Sequence, residues 1–269
     1  MKQLFSLPGE LAENRKLIFR LAKNDFKTKY AGSYLGILWA FVQPVVTVLV
    51  YWFVFGLVRK GSPKEVPFVL WLISGLVPWF YFQDALVQGT NSLIEYSYLV
   101  KKVVFKISIL PIVKIVSGLF VHLFFVLFVL LMYLLYGYLP TVYTLQIVYY
   151  SFCALCLALA ISYTTSAVVV FFRDLTHMIT IILQVGVWLT PIMWDFADMG
   201  INPYSWIARI LKINPMYYVV AGYRNALVDH QWFWEHPWQT AYFWLVTLLL
   251  FLFGTKLFRR LKVHFADVL

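Results

Sequence analysis

Two stripes of polar and aromatic side chains interrupt a chain that is otherwise largely apolar. In the first, Ala40, Gln43, Thr47 and Tyr51 follow a Gly32-Ser-Tyr-Leu-Gly36 run; in the second, Thr176, Thr180, Gln184 and Trp188 recur four residues apart. That spacing places each set along one face of a helix. In hydrocarbon a polar stripe either bonds neighbouring helices or walls a wet path, and both readings stay open here. If the stripes face a common cavity, Tyr51 and Trp188 set flat apolar rings beside hydrogen-bonding groups, which is the chemistry that holds a sugar ring.

Bond-making chemistry finds no comparable support. His122, His177, His230, His236 and His264 show no metal-ligand spacing, and no Gly-Lys pair exists from which a phosphate-cradling Gly-Lys-Ser/Thr loop could be built. Asp195, Asp198, Asp229 and Glu235 are spread along one segment without a nucleophile or metal motif, which argues against a membrane-embedded glycosyl- or acyltransferase. Cys153 and Cys156 form a C-x-x-C spacing inside a long apolar run, where small packing residues are the expectation rather than a redox pair. The chain is therefore expected to be no enzyme and to hold no cofactor or metal of its own. An ion-driven carrier would place titratable groups near mid-membrane. Only His122 is clearly inside a span, where a hydrogen-bonded structural role is expected.

The elements that must position these residues follow from composition. Of 269 residues 62% are hydrophobic and 13% charged, too apolar for a water-soluble fold. The apolar runs have the length of spanning helices, not the roughly ten-residue alternating strands of a barrel. An all-α integral membrane protein is expected, with six spans at Leu35–Val58, Pro67–Val87, Ile112–Tyr136, Thr144–Phe172, Ile179–Trp194 and Trp238–Phe258. The first apolar run starts too late for a cleaved signal peptide. Most of the 22 Lys and Arg residues fall before span one, between spans two and three, or after span six, which puts both termini in the cytoplasm of a multi-pass plasma-membrane protein. The net charge of +10 then suits anionic lipid headgroups, and no nucleic-acid partner is expected.

Residues 1–34 read as a cytoplasmic amphipathic segment, with Leu11, Ile18, Leu21, Ala22 and Phe26 among interleaved bases, lying on the membrane surface. Residues 91–106 form a basic amphipathic helix bounded by Pro111, suited to a groove of a soluble partner through Glu95, Tyr96, Tyr98, Lys101 and Lys102, or to lipid. Arg173 and Asp174 are an expected ion pair shaping the turn between spans four and five. Between spans five and six, residues 201–230 contain two Asn-Pro steps, each a natural helix start. They predict short helices at Pro203–Leu211 and Pro215–Val228, dipping back into the membrane as a re-entrant hairpin. Residues 1–269 form one domain without internal repeats; a single six-helix unit is small for a translocation path, and a homodimer would double it.

Four ordered blocks carry a resemblance: KYAGSYLGILWAFVQPVVTVLVYWFVFG at Lys29–Gly56, YLVKKVVFKISILP at Tyr98–Pro111, FFRDLTHMITIILQVGVWLTPIMW at Phe171–Trp194, and INPMYYVVAGYRNAL at Ile213–Leu227. Over nearly its whole length the chain resembles the permease subunits of type-2 ABC exporters for polysaccharides, and within them it is most similar to the teichoic-acid translocation permeases, with O-antigen and capsule exporters as alternatives. The resemblance implies a homodimer joined to two copies of a separate ATP-binding cassette subunit, which holds the ATP and Mg, exporting a lipid-linked polysaccharide. It implies that 91–106 is the coupling helix. Lys106 stands where the family has a proline, which leaves the end of that helix open. Gln43, Thr47, Tyr51, Thr180, Gln184 and Trp188 would line the substrate path at the dimer seam. Lys23, Lys27 and Lys29 on the inner rim would receive a diphosphate headgroup or anionic lipid.

Overall fold

Apolar runs with few breakers leave the backbone one economical way to satisfy its own hydrogen bonds, and the chain takes it: among the described residues every regular element is helical. The computed structural model describes residues 6–29, 34–58, 66–101, 106–196, 199–202 and 204–269. Helices α1 (Ser6–Glu13) and α2 (Arg15–Lys29) lead into α3 (Trp39–Val58), α4 (Phe68–Glu95) and a single turn, α5 (Ser97–Val100). Helices α6 (Leu110–Leu135), α7 (Gln146–Val169) and α8 (Leu175–Leu189) follow, then the short α9 (Trp206–Ile213) and α10 (Pro215–Arg224), the long α11 (Pro237–Leu261) and a final turn, α12 (Phe265–Val268).

Among the described residues five stretches are long and apolar enough to cross a membrane, namely Gly36–Phe55, Phe68–Glu95, Ile107–Leu135, Val142–Val169 and Pro237–His264. Helix α8, where the fifth of six spans is expected, has 15 residues. At 1.5 Å per residue that is about 22 Å, short of a roughly 30 Å hydrocarbon core. It stops at Leu189, before the expected end at Trp194, because the chain turns extended at Thr190 ahead of Pro191.

Helix α4 is the axis of the bundle. It is buried on every side from Leu70 to Trp79 and packs against α3, α6, α7, α8 and α10. Pro78 does not end it, and it runs to Glu95 rather than to the expected Val87, because Ala85, Leu86, Gly89 and Leu93 stay buried along its polar second half. Asn91–Glu95 therefore belong to this long helix. The independent helical turn of the expected 91–106 segment is Ser97–Val100, and residues 102–105, Lys102 included, lie outside the described residues.

Helix α2 is amphipathic, as its sequence pattern predicts, and its apolar face is docked on protein. Ile18 and Ala22 pack with Ile109 and Val113 at the start of α6, and the Phe19 and Phe26 rings meet Phe120 at 6.0 and 5.3 Å. Asn214 caps α10 by accepting from the Met216 amide at 3.0 Å with Pro215 in the first turn, the Asn-Pro start read from sequence. Helix α9 starts later than Pro203, which lies outside the described residues: Ser205 is its cap, accepting from the Ala208 amide at 3.3 Å. Helix α10 runs on into a π-helical turn at Asn225–Asp229, ended by His230 in the left-handed region at φ 53°.

Two glycines set how closely these helices approach. At Gly254 on α11 an added Cβ would lie 3.0 Å from the Ala160 carbonyl oxygen, so α11 and α7 touch backbone to backbone. At Gly222 on α10 it would fall 2.0 Å from the ring of Tyr150, which is buried on α7. Gly222→Ala is therefore expected to destabilise the fold by about 1–3 kcal/mol through overpacking. The check is the unfolding midpoint of detergent-solubilised protein, which falls for Gly222→Ala and does not fall for Gly9→Ala, where nothing lies within 4 Å of the added carbon.

Candidate functional site

The two stripes meet. Trp188 on α8 lies edge-on to Tyr51 on α3, with ring centroids 6.2 Å apart at 63°, and Phe55 stands 6.5 Å from the same indole. Thr47 donates its hydroxyl to the Gln43 carbonyl at 2.9 Å, and Thr180 donates to the Thr176 carbonyl at 2.9 Å. Both hydroxyls are thus satisfied by their own helices and need no neighbouring helix to cover them. Gln43, Gln184 and Trp188 are exposed, Thr47, Tyr51 and Thr180 half-buried. Thr176 instead turns into the bundle, donating to Asn91 Oδ1 on α4 at 2.7 Å. Around these residues Val46, Leu49, Val50, Phe53, Ile181 and Val185 are also exposed, and among the described residues of α3 only Ala40 is buried. The face that α3 and α8 share is apolar, with a row of polar groups set into it, and it points away from the core of the chain.

Charge is concentrated at the end of the bundle where α4 stops and α6 begins. Lys114 on α6, with 6% of its side chain exposed, reaches Asp25 Oδ1 on α2 at 2.6 Å and Glu95 Oε2 on α4 at 2.5 Å. The Tyr96 hydroxyl donates to the same Asp25 oxygen at 2.7 Å, and the Lys114 ammonium sits 4.9 Å from the Tyr96 ring centre. Burial and that bond to Asp25 push the Tyr96 phenol well above its ordinary range, so it remains a donor. One turn further along, Lys29 pairs with Asp84 at 2.9 Å, while Ser108 donates to Glu10 at 3.0 Å and Lys106 lies 3.6 Å from Glu13. Of the three rim bases, Lys23 and Lys27 are exposed on α2 and Lys29 is held by α4. Of the expected docking residues, Glu95 and Tyr96 turn toward Lys114 and Asp25, whereas Tyr98 and Lys101 are exposed on the α5 turn.

At the opposite end Arg224 closes α10 onto α8. Its guanidinium donates to the carbonyls of Pro191 at 2.5 Å and Ile192 at 2.6 Å and stacks 3.5 Å from the Trp71 ring centre on α4. Asn214 adds a bond to Thr190 Oγ1 at 2.8 Å. Between the two ends, His122 Nε2 lies 3.0 Å from both Ser151 Oγ and Tyr223 OH, and its ring stacks on Tyr81 at 4.5 Å. This histidine is part of a closed hydrogen-bonded set joining α6, α7 and α10.

Asp25, Asp84, Lys114 and Arg224 are the residues that sequence reasoning did not single out. A signal existed for two of them: Asp84 and Lys114 sit within or beside apolar runs, where an ionisable group needs a partner. Their partners lie 55 and 89 residues away, beyond any local pattern.

Comparison with known proteins places the chain among transport permeases. Residues 16–228 match the ABC-2 type transporter family. An O-antigen export system permease protein of Myxococcus xanthus is 28% identical over 228 residues, 85% of this chain and 86% of the relative. A protein of the same description from Klebsiella pneumoniae is 26% identical over 257 residues, 94% of this chain and 95% of the relative. A polysialic acid transport protein of Escherichia coli is 28% identical over 60 residues, 22% of this chain and 23% of the relative.

The Arg224 closure carries its own expectation. Arg224→Met removes the two charge-assisted bonds to the Pro191 and Ile192 carbonyls, a loss of about 3 kcal/mol. Arg224→Lys restores part of it, since one ammonium cannot match the fork and the ring stack together. Unfolding midpoints should rank wild type above Lys above Met.

Proposed function

The chain belongs to the ABC-2 type transporter family, and from that premise we propose that it is the membrane subunit of an ATP-driven exporter carrying a lipid-linked polysaccharide outward across the bacterial plasma membrane. The observation that carries the substrate class is that relatives aligned over 85% and 94% of the chain are named as O-antigen export permeases. Those names favour an O-antigen-type polymer. The teichoic-acid reading rests on sequence resemblance alone.

In this reading two copies face one another across the surface shared by α3 and α8, and α8 is the fifth of six crossings, shortened because its far end is met by α9 and α10 in a re-entrant hairpin. An exposed apolar face with polar groups set into it supports such a seam: its apolar part seals against the second copy or lipid, and Gln43, Thr47, Tyr51, Thr180, Gln184 and Trp188 give a sliding glycan sugar-stacking and hydrogen-bonding contacts. Lys23 and Lys27, exposed on α2, are the bases available to a phosphorylated headgroup or to anionic lipid on the cytoplasmic side. The ATP-binding cassette subunit, which holds the nucleotide and Mg, seats on the α5 turn through Tyr98 and Lys101, whose exposure suits a protein contact. Both termini are cytoplasmic.

The test is to coexpress the chain with the ATPase encoded beside it, reconstitute the complex in proteoliposomes, and follow polymer that becomes protected from an added glycosidase. ATP-dependent protection of a lipid-linked O-antigen polysaccharide, at several times the rate for lipid-linked teichoic acid, is the expected result. The reverse preference restores the teichoic-acid reading, and protection of neither removes the polysaccharide assignment. Tyr98→Ala combined with Lys101→Glu is expected to weaken copurification of the ATPase at least tenfold.

A further inference from the structure

Three elements converge on one buried ammonium, and the two carboxylates that meet it are not alike. Asp25, on α2, has 7% of its side chain exposed and takes a second bond from Tyr96; Glu95, at the end of α4, has 44% exposed. Lys114 itself is on α6, at 6%. The Asp25 arm is sealed in the protein, while the Glu95 arm reaches water. A trio of apolar side chains would join the same three helices without the cost of stripping charges of water, so stability alone gives no reason for this choice. What an ion pair provides that apolar contact does not is a direction, together with a bond that can be exchanged for water at its exposed arm.

We propose that Lys114, Asp25 and Glu95 form a clamp of positioning residues that makes α2, the Tyr96–Lys101 turn and the base of α6 move as one body. The proposal rests on the reading of that turn as the ATPase seat. A displacement of the turn is carried by Glu95 and Tyr96 into Lys114 and Asp25. From there it reaches two elements at once: α6, which reaches across the bundle, and α2, which lies along its charged end. Without the clamp the turn shifts against α6, and the movement made by the ATPase is lost before it reaches the path. Lys114 and Asp25 touch neither nucleotide nor polymer; they act through the elements they hold.

The experiment measures polymer exported per ATP hydrolysed in the reconstituted complex, for wild type, Glu95→Gln, Asp25→Asn and Lys114→Arg. Gln and Asn match the shape of the carboxylates they replace, Arg keeps the charge of Lys114, and the unfolding midpoint of each variant is recorded beside its activity. A ratio about fivefold or more below wild type for Glu95→Gln and Asp25→Asn, with Lys114→Arg close to wild type, supports the clamp. A purely structural cluster would lower hydrolysis and export in parallel with folded protein, so an unchanged ratio in both neutral variants overturns the proposal. Wild-type complex that hydrolyses ATP without exporting polymer overturns the permease reading, and the clamp with it, and is told apart because it needs no variant.

Discussion

Desolvation sets a demand on each polar side chain drawn into this bundle, and where a partner within the chain meets it the arrangement of helices is fixed. Lys114 answers it with two carboxylates, Asp84 with Lys29, His122 with a serine and a tyrosine, and Arg224 with two carbonyls and an indole. Each set joins elements far apart in sequence. Apolar contact between helices is non-directional and would tolerate many rotations of α4 against α6 and α7. The buried polar sets do not, because a small rotation would leave a donor or a charge without its partner. Apolar packing supplies the bulk of the bundle, and a handful of polar joints select one arrangement of it.

The chain divides accordingly into a closed side and an open side. Helices α4, α6, α7, α10 and α11 interlock through small residues and rings, with glycines where backbones nearly touch. Helices α3 and α8 hold to this body through single faces and leave the other face bare. On the closed side His122, Ser151, Tyr223 and Arg224 are consumed in joints. On the open side Thr47 and Thr180 bond their own backbone, and Gln43, Gln184 and Trp188 are exposed, which leaves these side chains available to something outside the chain.

What the sequence made legible was whatever is encoded locally. Hydrophobic length located α4, α6, α7 and α11; alternation of bases with apolar residues located α2; Asn before Pro located the start of α10. Four-residue spacing placed Tyr51 and Trp188 each on a helix face, while the meeting of those two faces is set by tertiary packing. Other features depend on tertiary context. The end of α4 is rich in polar residues and reads as the approach to a loop, yet burial of Leu86 and Leu93 keeps it helical to Glu95. Glu95 and Lys29 read as free surface charges until the residues opposite them, Lys114 and Asp84, are known. Ser205 displaced an Asn-Pro step as the start of α9 because both are adequate caps and the surrounding chain decides between them.

The grip of Arg224 differs from the other joints in one respect: two of its three contacts are to main chain. A carboxylate partner can be lost by a single substitution, whereas the carbonyl oxygens at 191 and 192 persist whatever side chains those positions carry. The joint between α10 and the end of α8 is thus insensitive to drift on one of its two sides. Inheritance of that closure requires one arginine and a backbone path, and the residues on the path are free to diverge.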